Sequence, residues 1–291
     1  MDHPSWLLIR GVFRGFHIAG SFGVFGTHLL AATLLRGQSL PGLRLLAWAC
    51  LGTALVAELG WFLLQTEDFA SAQSLSDIVS AIPIVAQDTR FGILLLARTG
   101  GLIIATILFQ FGWNRLATAI ALGTVVAESW LGHGGAMSGT TGTILLATSI
   151  VHLLAAASWL GSLPALYLTI KCLPADAAQR LASTYSPGGM LCVAALIITA
   201  TIQYFLLIGR PWALFTSAYG LTASAKILLL AGLIGLAARN RLRFTPKLPA
   251  SRPQLLRSIR AEILLGLLAL LAAGLILQLE PPTMAAMGMG Q

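Results

Sequence analysis

The sequence predicts an all-α fold, a polytopic transmembrane helix bundle of about eight spans with both termini periplasmic. Three observations carry this expectation. Hydrophobic residues make up 57% of the 291-residue chain and charged residues only 10%, against about 25% charged in ordinary soluble domains. Apolar runs of about 20 residues or more recur, each long enough to cross the hydrocarbon core. No hydrophilic stretch is long enough for a separate soluble domain, so residues 1–291 read as one transmembrane domain. A transmembrane barrel needs short alternating strands, and the pattern holds none.

Hydropathy places the spans at Trp6–Leu35, Leu43–Gln65, Phe91–Phe111, Leu116–Leu131, Thr143–Ile170, Gly188–Ile208, Phe215–Ala238 and Ile259–Leu279. Arg10 and Arg14 lie inside the first, so its embedded part is expected to begin near Gly15. Asp2 and His3 precede the apolar region, and no small-residue cleavage site follows, so the N-terminus does not read as a cleaved signal.

Loop charge sets the orientation. Arg239, Arg241, Arg243, Lys247, Arg252, Arg257 and Arg260 lie between the last two spans and mark that loop as cytoplasmic; Arg36, Arg44, Arg115, Lys171 and Arg180 agree. The loop from Thr66 to Thr89 carries Glu67, Asp68, Asp77 and Asp88 with no Lys or Arg, so it faces outward. Within it, Leu75–Ala86 reads as a short helix lying on the outer surface. The net charge of +8 is thus a membrane-topology signal, with the lipid bilayer as partner and no nucleic acid. Cys50, Cys172 and Cys192 form neither a disulfide framework nor a CxxC pair and read as packing residues.

Tryptophans sit near the expected interfaces, except Trp159, which lies well inside its span and is therefore a packing or site residue. Seven residues before it, on the same helical stripe, is His152. A histidine in a span is either a core residue bonded to a neighbouring helix or part of a functional site. Other polar residues fall in the outer half or near the midplane of other spans: Arg14 and His17 in the first, Glu58 in the second, Arg98 in the third, Glu128 closing the fourth, and Lys226 in the seventh. Alone, each charge costs a few kcal/mol or more at the bilayer centre, so they should pair or face a water-filled interior. Ion pairs of Glu58 with Arg98 and Glu128 with Lys226 are one such arrangement. His28, toward the cytoplasmic end, reads as structural.

Neutral imidazoles suit borderline metals, and thioethers suit Cu(I). His17, His133 and His152 are therefore candidate metal ligands. Met137, Met284, Met287 and Met289 fall in expected outer segments, where apolar packing does not account for them, and join the candidate set. His3 is a further candidate, because a free amino terminus with His at position three can wrap Cu(II) in a square-planar nitrogen set. No Walker loop, dinucleotide fingerprint, HExxH or nucleophile elbow is present, which argues against an ATP-driven pump or a hydrolase.

Four segments resemble the CopD family of bacterial copper-resistance membrane proteins: RGFHIAG (Arg14–Gly20), WLGHGG (Trp130–Gly135), HLLAAASWLGSLPAL (His152–Leu166) and YGLTASAKILLLAGLIGLAARNRLRFTPKL (Tyr219–Leu248). The chain departs from that pattern at TYSPGG (Thr184–Gly189) and at Thr199-Ala200, where the family more often has Thr-Gly, so no site is expected there. The resemblance implies a multi-pass copper transporter of the bacterial cytoplasmic (inner) membrane, not an enzyme, moving copper as Cu(I) or Cu(II) from periplasm toward cytoplasm. It also implies a separate periplasmic copper carrier of the CopC type, since no fused carrier domain is apparent. In the expected route, copper reaches His133 and Met137 first and then His17 and His152, with Glu58 and Glu128 balancing charge or taking up protons. Lys226 and Arg98 orient those carboxylates, and Trp159 walls the site. The alternative is haem b held between His17 and His152, as in a membrane cytochrome or metal reductase.

Overall fold

The computed structural model describes residues 4–35, 40–72, 74–248 and 250–286. The helices are α1 (Pro4–Thr33), α2 (Pro41–Ala70), α3 (Leu75–Asp88), α4 (Arg90–Gln110), α5 (Asn114–Glu128), α6 (His133–Ala136), α7 (Gly139–Trp159), α8 (Leu163–Cys172), α9 (Ala175–Leu207), α10 (Ala213–Thr216), α11 (Ala218–Arg239), α12 (Arg252–Ile276) and α13 (Pro282–Ala286). No strand occurs among the described residues.

Local chemistry sets the boundaries. Ser74 and Asp77 close a reciprocal capping box that starts α3, which confirms the short helix expected between the second and third spans. Its exposed Leu75, Val79 and Ile84 suit a helix at a lipid interface. Thr89 caps α4 and Ser217 caps α11, accepting from Gly92 N and Gly220 N at 3.0 Å each. Gly112, with φ +85°, makes the left-handed turn between α4 and α5.

Six helical segments are long and apolar enough to cross a membrane: Gly42–Ala70, Arg90–Gln110, Gly139–Cys172, Ala175–Leu207, Ala218–Lys247 and Arg252–Ile276. The expected spans Trp6–Leu35 and Leu116–Leu131 are not among them, and the reasons differ. α5 has 15 residues, about 22 Å of rise against about 30 Å of hydrocarbon. α1 has 30 residues but carries Arg10, Arg14, His17 and His28, all buried. It packs against α2, α4, α5, α7, α8 and α12. Enclosed by protein from Arg10 onward, α1 meets little lipid there and has no need of uniformly apolar side chains. The most lipophilic surfaces are elsewhere, on α9 and α11, where Ile198, Phe205, Leu221 and Leu228 are exposed.

Small residues permit that enclosure. The span that begins at Gly139 breaks at Leu160–Ser162 and resumes as α8 with a proline in its first turn. At this break Gly161 meets Gly26 of α1 backbone to backbone, and a Cβ on either would overlap the other helix. Gly15 abuts α12, where a Cβ would lie 2.7 Å from the Leu271 Cα. α1 thus joins the first half of the chain to the last helix. Gly26→Val should force these backbones apart at a cost of about 1–3 kcal/mol, seen as a lowered Tm of the detergent-purified protein; an unchanged Tm would show that the crossing is loose.

Candidate functional site

Arg14 and His17 are three residues apart and share one face of α1, and α2, α4 and α5 converge on that face. His17 is fully buried. Its Nε2 lies 2.9 Å from Arg98 Nη1 and its Nδ1 3.3 Å from the Ala54 carbonyl. A guanidinium can only donate, so His17 Nε2 accepts and the ring proton resides on Nδ1. Arg98 also donates through Nε to the Thr124 carbonyl at 3.0 Å and holds Glu128 Oε2 at 2.5 Å. Arg14 donates to the Leu131 carbonyl at 2.5 Å, lies 3.9 Å from Glu128 Oε1, and covers the Trp61 ring at 4.6 Å.

The pairings differ from the sequence expectation. Glu128 pairs with Arg98 and Arg14 instead of Lys226. Glu58 accepts from the Thr99 hydroxyl and lies 3.6 Å from His17 Nδ1. Arg10, whose position looked anomalous in a span, binds Asp68 at the end of α2 at 2.9 Å. His28 is buried against Phe109, with ring centroids 4.4 Å apart, in keeping with a structural role.

Beside this network lies a cavity of about 230 Å³, lined by Arg14, Glu128, His133, His152, Tyr219 and Lys226 among others. His152 and His133 each present a free ring nitrogen there. Thr199 spends its hydroxyl proton on the Ala195 carbonyl at 2.7 Å, so its oxygen accepts from His152 Nδ1 at 2.9 Å. That leaves the Nε2 lone pair of His152 for the cavity. His133 Nε2 lies 3.4 Å from the Ile276 carbonyl, so it donates and leaves Nδ1 as the acceptor. Burial, more than the nearby Arg14 charge, lowers the His133 pKa to about 4, so the ring stays neutral near pH 7. Orienting a ligand histidine through its second nitrogen is how metal sites set the tautomer.

Other sequence candidates fall elsewhere. His17 does not line this cavity, and its Nε2 lone pair is directed at Arg98. Met137 and Met284 are part-buried and pack on a small core with Leu145, Leu207 and Tyr219; apolar packing does account for them, contrary to expectation, although they sit near the cavity mouth. His3, Met287 and Met289 lie outside the described residues. Trp159 does not wall the His152 cavity: it faces a second one with Tyr185 and Glu262. Among the described residues, no three His, Cys, Asp or Glu side chains gather as a metal site. Thr199, which sets the His152 tautomer, stands where the departure from Thr-Gly led to the expectation of no site; packing corrects this by bringing its hydroxyl to His152, 47 residues away along the chain.

Two measurements check this arrangement. Glu128→Leu leaves Arg98 and Arg14 buried without their carboxylate and should cost about 3–5 kcal/mol, whereas Glu128→Leu with Arg98→Met should recover part of that loss in a thermal unfolding series. Because the His133 pKa is lower folded than unfolded, its stabilising effect is present above about pH 6.5 and fades as pH falls toward 4. His133→Phe should therefore flatten the decline of Tm between pH 7 and 5; an unaltered decline would place the sensitivity elsewhere.

The comparisons with known proteins agree with one another. A family model described as "Copper resistance protein D-like, N-terminal domain" matches residues 4–143, and one described as "Copper resistance protein D" matches residues 179–276. "Copper resistance protein D" of Pseudomonas syringae pv. tomato is 23% identical over 299 residues, covering 95% of this chain and 96% of that protein. "Copper transport protein CutJ" of Bacillus subtilis (strain 168) is 24% identical over 181 residues, covering 60% of this chain and 32% of that protein. No solved structure matches. With both family models matched in order along most of its length, and a relative aligned nearly end to end, the chain belongs to the copper resistance protein D family.

Proposed function

We propose that this protein conducts copper across the bacterial cytoplasmic membrane, from the periplasmic side inward, as a transporter and not an enzyme. One observation carries the reading: His133 and His152 present unprotonated ring nitrogens to a single cavity. Imidazole nitrogen suits copper, and neutral ligands take up a cation without first losing a proton. The family and the printed names of its relatives supply the metal.

In this reading the eight helical columns, α1 and α5 included, form one transmembrane domain. α5 completes its crossing through the helical turn Ser129–Leu131. Both termini are periplasmic and the Arg239–Arg260 segment is cytoplasmic, as loop charge requires. A CopC-type carrier would deliver copper at the periplasmic mouth, where Met137 and Met284 pack and where the tail with Met287 and Met289 begins. His3 offers a further nitrogen set at that side. His133 would receive the ion and His152 pass it on.

Glu128 borders the cavity and supplies the balancing charge; Arg98 holds it in place, and His17, with Glu58 beside it, steadies Arg98 rather than binding metal. Lys226 lines the same cavity and limits how tightly a cation is held, a condition for passage. The haem reading does not fit these residues. Axial ligation from His17 and His152 needs both lone pairs on one cavity, and His17 Nε2 is taken by Arg98 outside it.

Copper accumulation by cells that depend on this protein should fall to background in His152→Ala and in His133→Ala. Thr199→Val, which removes the acceptor for His152 Nδ1, should give an intermediate loss of about tenfold, matching one lost hydrogen bond to a ligand. Full accumulation in both histidine variants would sink the site.

A further inference from the structure

The second cavity, of about 500 Å³, is stacked on the first along the same two helices. α9 lines the first with Leu196 and Gln203 and the second with Gly189 and Ile197. α11 lines the first with Lys226 and Leu233 and the second with Ile234 and Ala237. α9 packs on α7 and α11 packs on α12, without close packing between α9 and α11. A slot therefore runs between them from the His133 end of the bundle toward Arg241.

One apolar layer interrupts the slot. Neighbouring residues face opposite chambers: Leu160 the first and Trp159 the second, Leu196 the first and Ile197 the second, Leu233 the first and Ile234 the second. Trp159, Leu196 and Leu233 are 2%, 4% and 1% exposed, within one core cluster. An apolar constriction of this kind stops a hydrated ion until its side chains part.

Beyond the layer, the second chamber holds three buried oxygen-bearing side chains, Glu262, Asn240 and Thr245. The Asn240 amide nitrogen donates to Glu262 Oε1, which turns the amide oxygen away. That oxygen is buried with no partner in the protein. Asn240 opens a π-helical stretch, Asn240–Phe244, a local geometry concentrated at functional sites. Tyr185, Ser186 and Arg241, which also line the chamber, are engaged. The Tyr185 hydroxyl meets Ser162 at 2.9 Å and the Trp159 carbonyl at 3.1 Å. Arg241 donates to Ser186 at 2.7 Å. Arg239, just outside, donates to Ser258 at 3.2 Å. Glu262 makes no ion-pair contact among the described residues, the nearby Arg239 being bonded to Ser258, so a cation beside the unpartnered amide oxygen can supply that contact.

We propose that the α9–α11 slot is the copper path, with Leu160, Leu196 and Leu233 as its closed gate and Glu262 with Asn240 as the exit site. This rests on the reading that the protein conducts copper. Arg239 near Glu262 weakens the hold on the arriving cation and so favours release.

Copper uptake into vesicles reconstituted with the purified protein tests it. Glu262→Gln keeps the shape and can still accept from Asn240, so it should slow uptake about tenfold, as for one lost charged contact. Asn240→Leu removes the unpartnered oxygen, and with it the amide bond to Glu262, and should slow uptake too, while Leu233→Ala thins the gate and should speed it. Wild-type uptake with all three variants unchanged overturns the path and its exit site alone. Wild-type vesicles that take up no copper overturn the conducting reading and this one with it. Gel filtration and an unchanged helical circular-dichroism spectrum separate a slowed variant from a misfolded one.

Discussion

A charge inside a bilayer has no water to solvate it, so Arg14, Arg98, Glu58 and Glu128 can remain in the bundle only by answering one another. The Arg98–Glu128 contact at 2.5 Å is the centre of that arrangement. It joins α4 to α5, and the remaining donors of Arg98 reach His17 on α1 and the Thr124 carbonyl on α5. Glu128 in turn approaches Arg14 one turn from His17. A helix bearing both Arg14 and His17 has one stable place in such a bundle, and that is the middle. The enclosed position of α1, its close glycine crossings and its modest hydropathy all follow from the same requirement.

The network also sets the working cavity. Glu128 and Arg14 belong to both, so the ion pair that holds α5 against α1 and α4 also positions the segment that follows, Ser129 to His133. Arg14 donates to the Leu131 carbonyl in that segment. His133 is further tied to the end of α12 through the Ile276 carbonyl, and His152 to α9 through Thr199. Each imidazole is held by one nitrogen and offers the other. The polar network thus acts as the frame, and the histidines outside it each keep one ring nitrogen without a partner among the described residues.

Much of the fold was legible in the sequence, because lipid imposes a simple rule on helices that face it. The segments in α2, α4, α7–α8, α9, α11 and α12 announced themselves by length and hydropathy, and α3 was expected as a short helix over Leu75–Ala86. α1 and α5 obey protein neighbours instead of lipid, so hydropathy describes them poorly. The depth estimate for polar residues brought Arg14, His17, Glu58, Arg98 and Glu128 to a common level, and the structure joins them. It did not say who pairs with whom: Glu128 takes Arg98 and not Lys226, and Trp159 faces the opposite chamber from His152. Helical spacing gives a residue's face only on its own helix, whereas pairing depends on how neighbouring helices are rotated.

The sequence by itself determined that this is a bundle of apolar helices with histidines and charges at a shared depth, because composition and 1.5 Å rise are local properties of the chain. Only the tertiary structure decided which histidines keep a free lone pair. His17 and His152 look alike as single intramembrane imidazoles. Arg98 occupies one, and Thr199 orients the other while leaving Nε2 open. The same holds for Glu262 and Asn240, ordinary residues of two different helices until packing turns one amide oxygen into a buried acceptor without a donor. Hydrogen-bond saturation is a property of neighbours distant in sequence, so it emerges with the packing of the helices and not before.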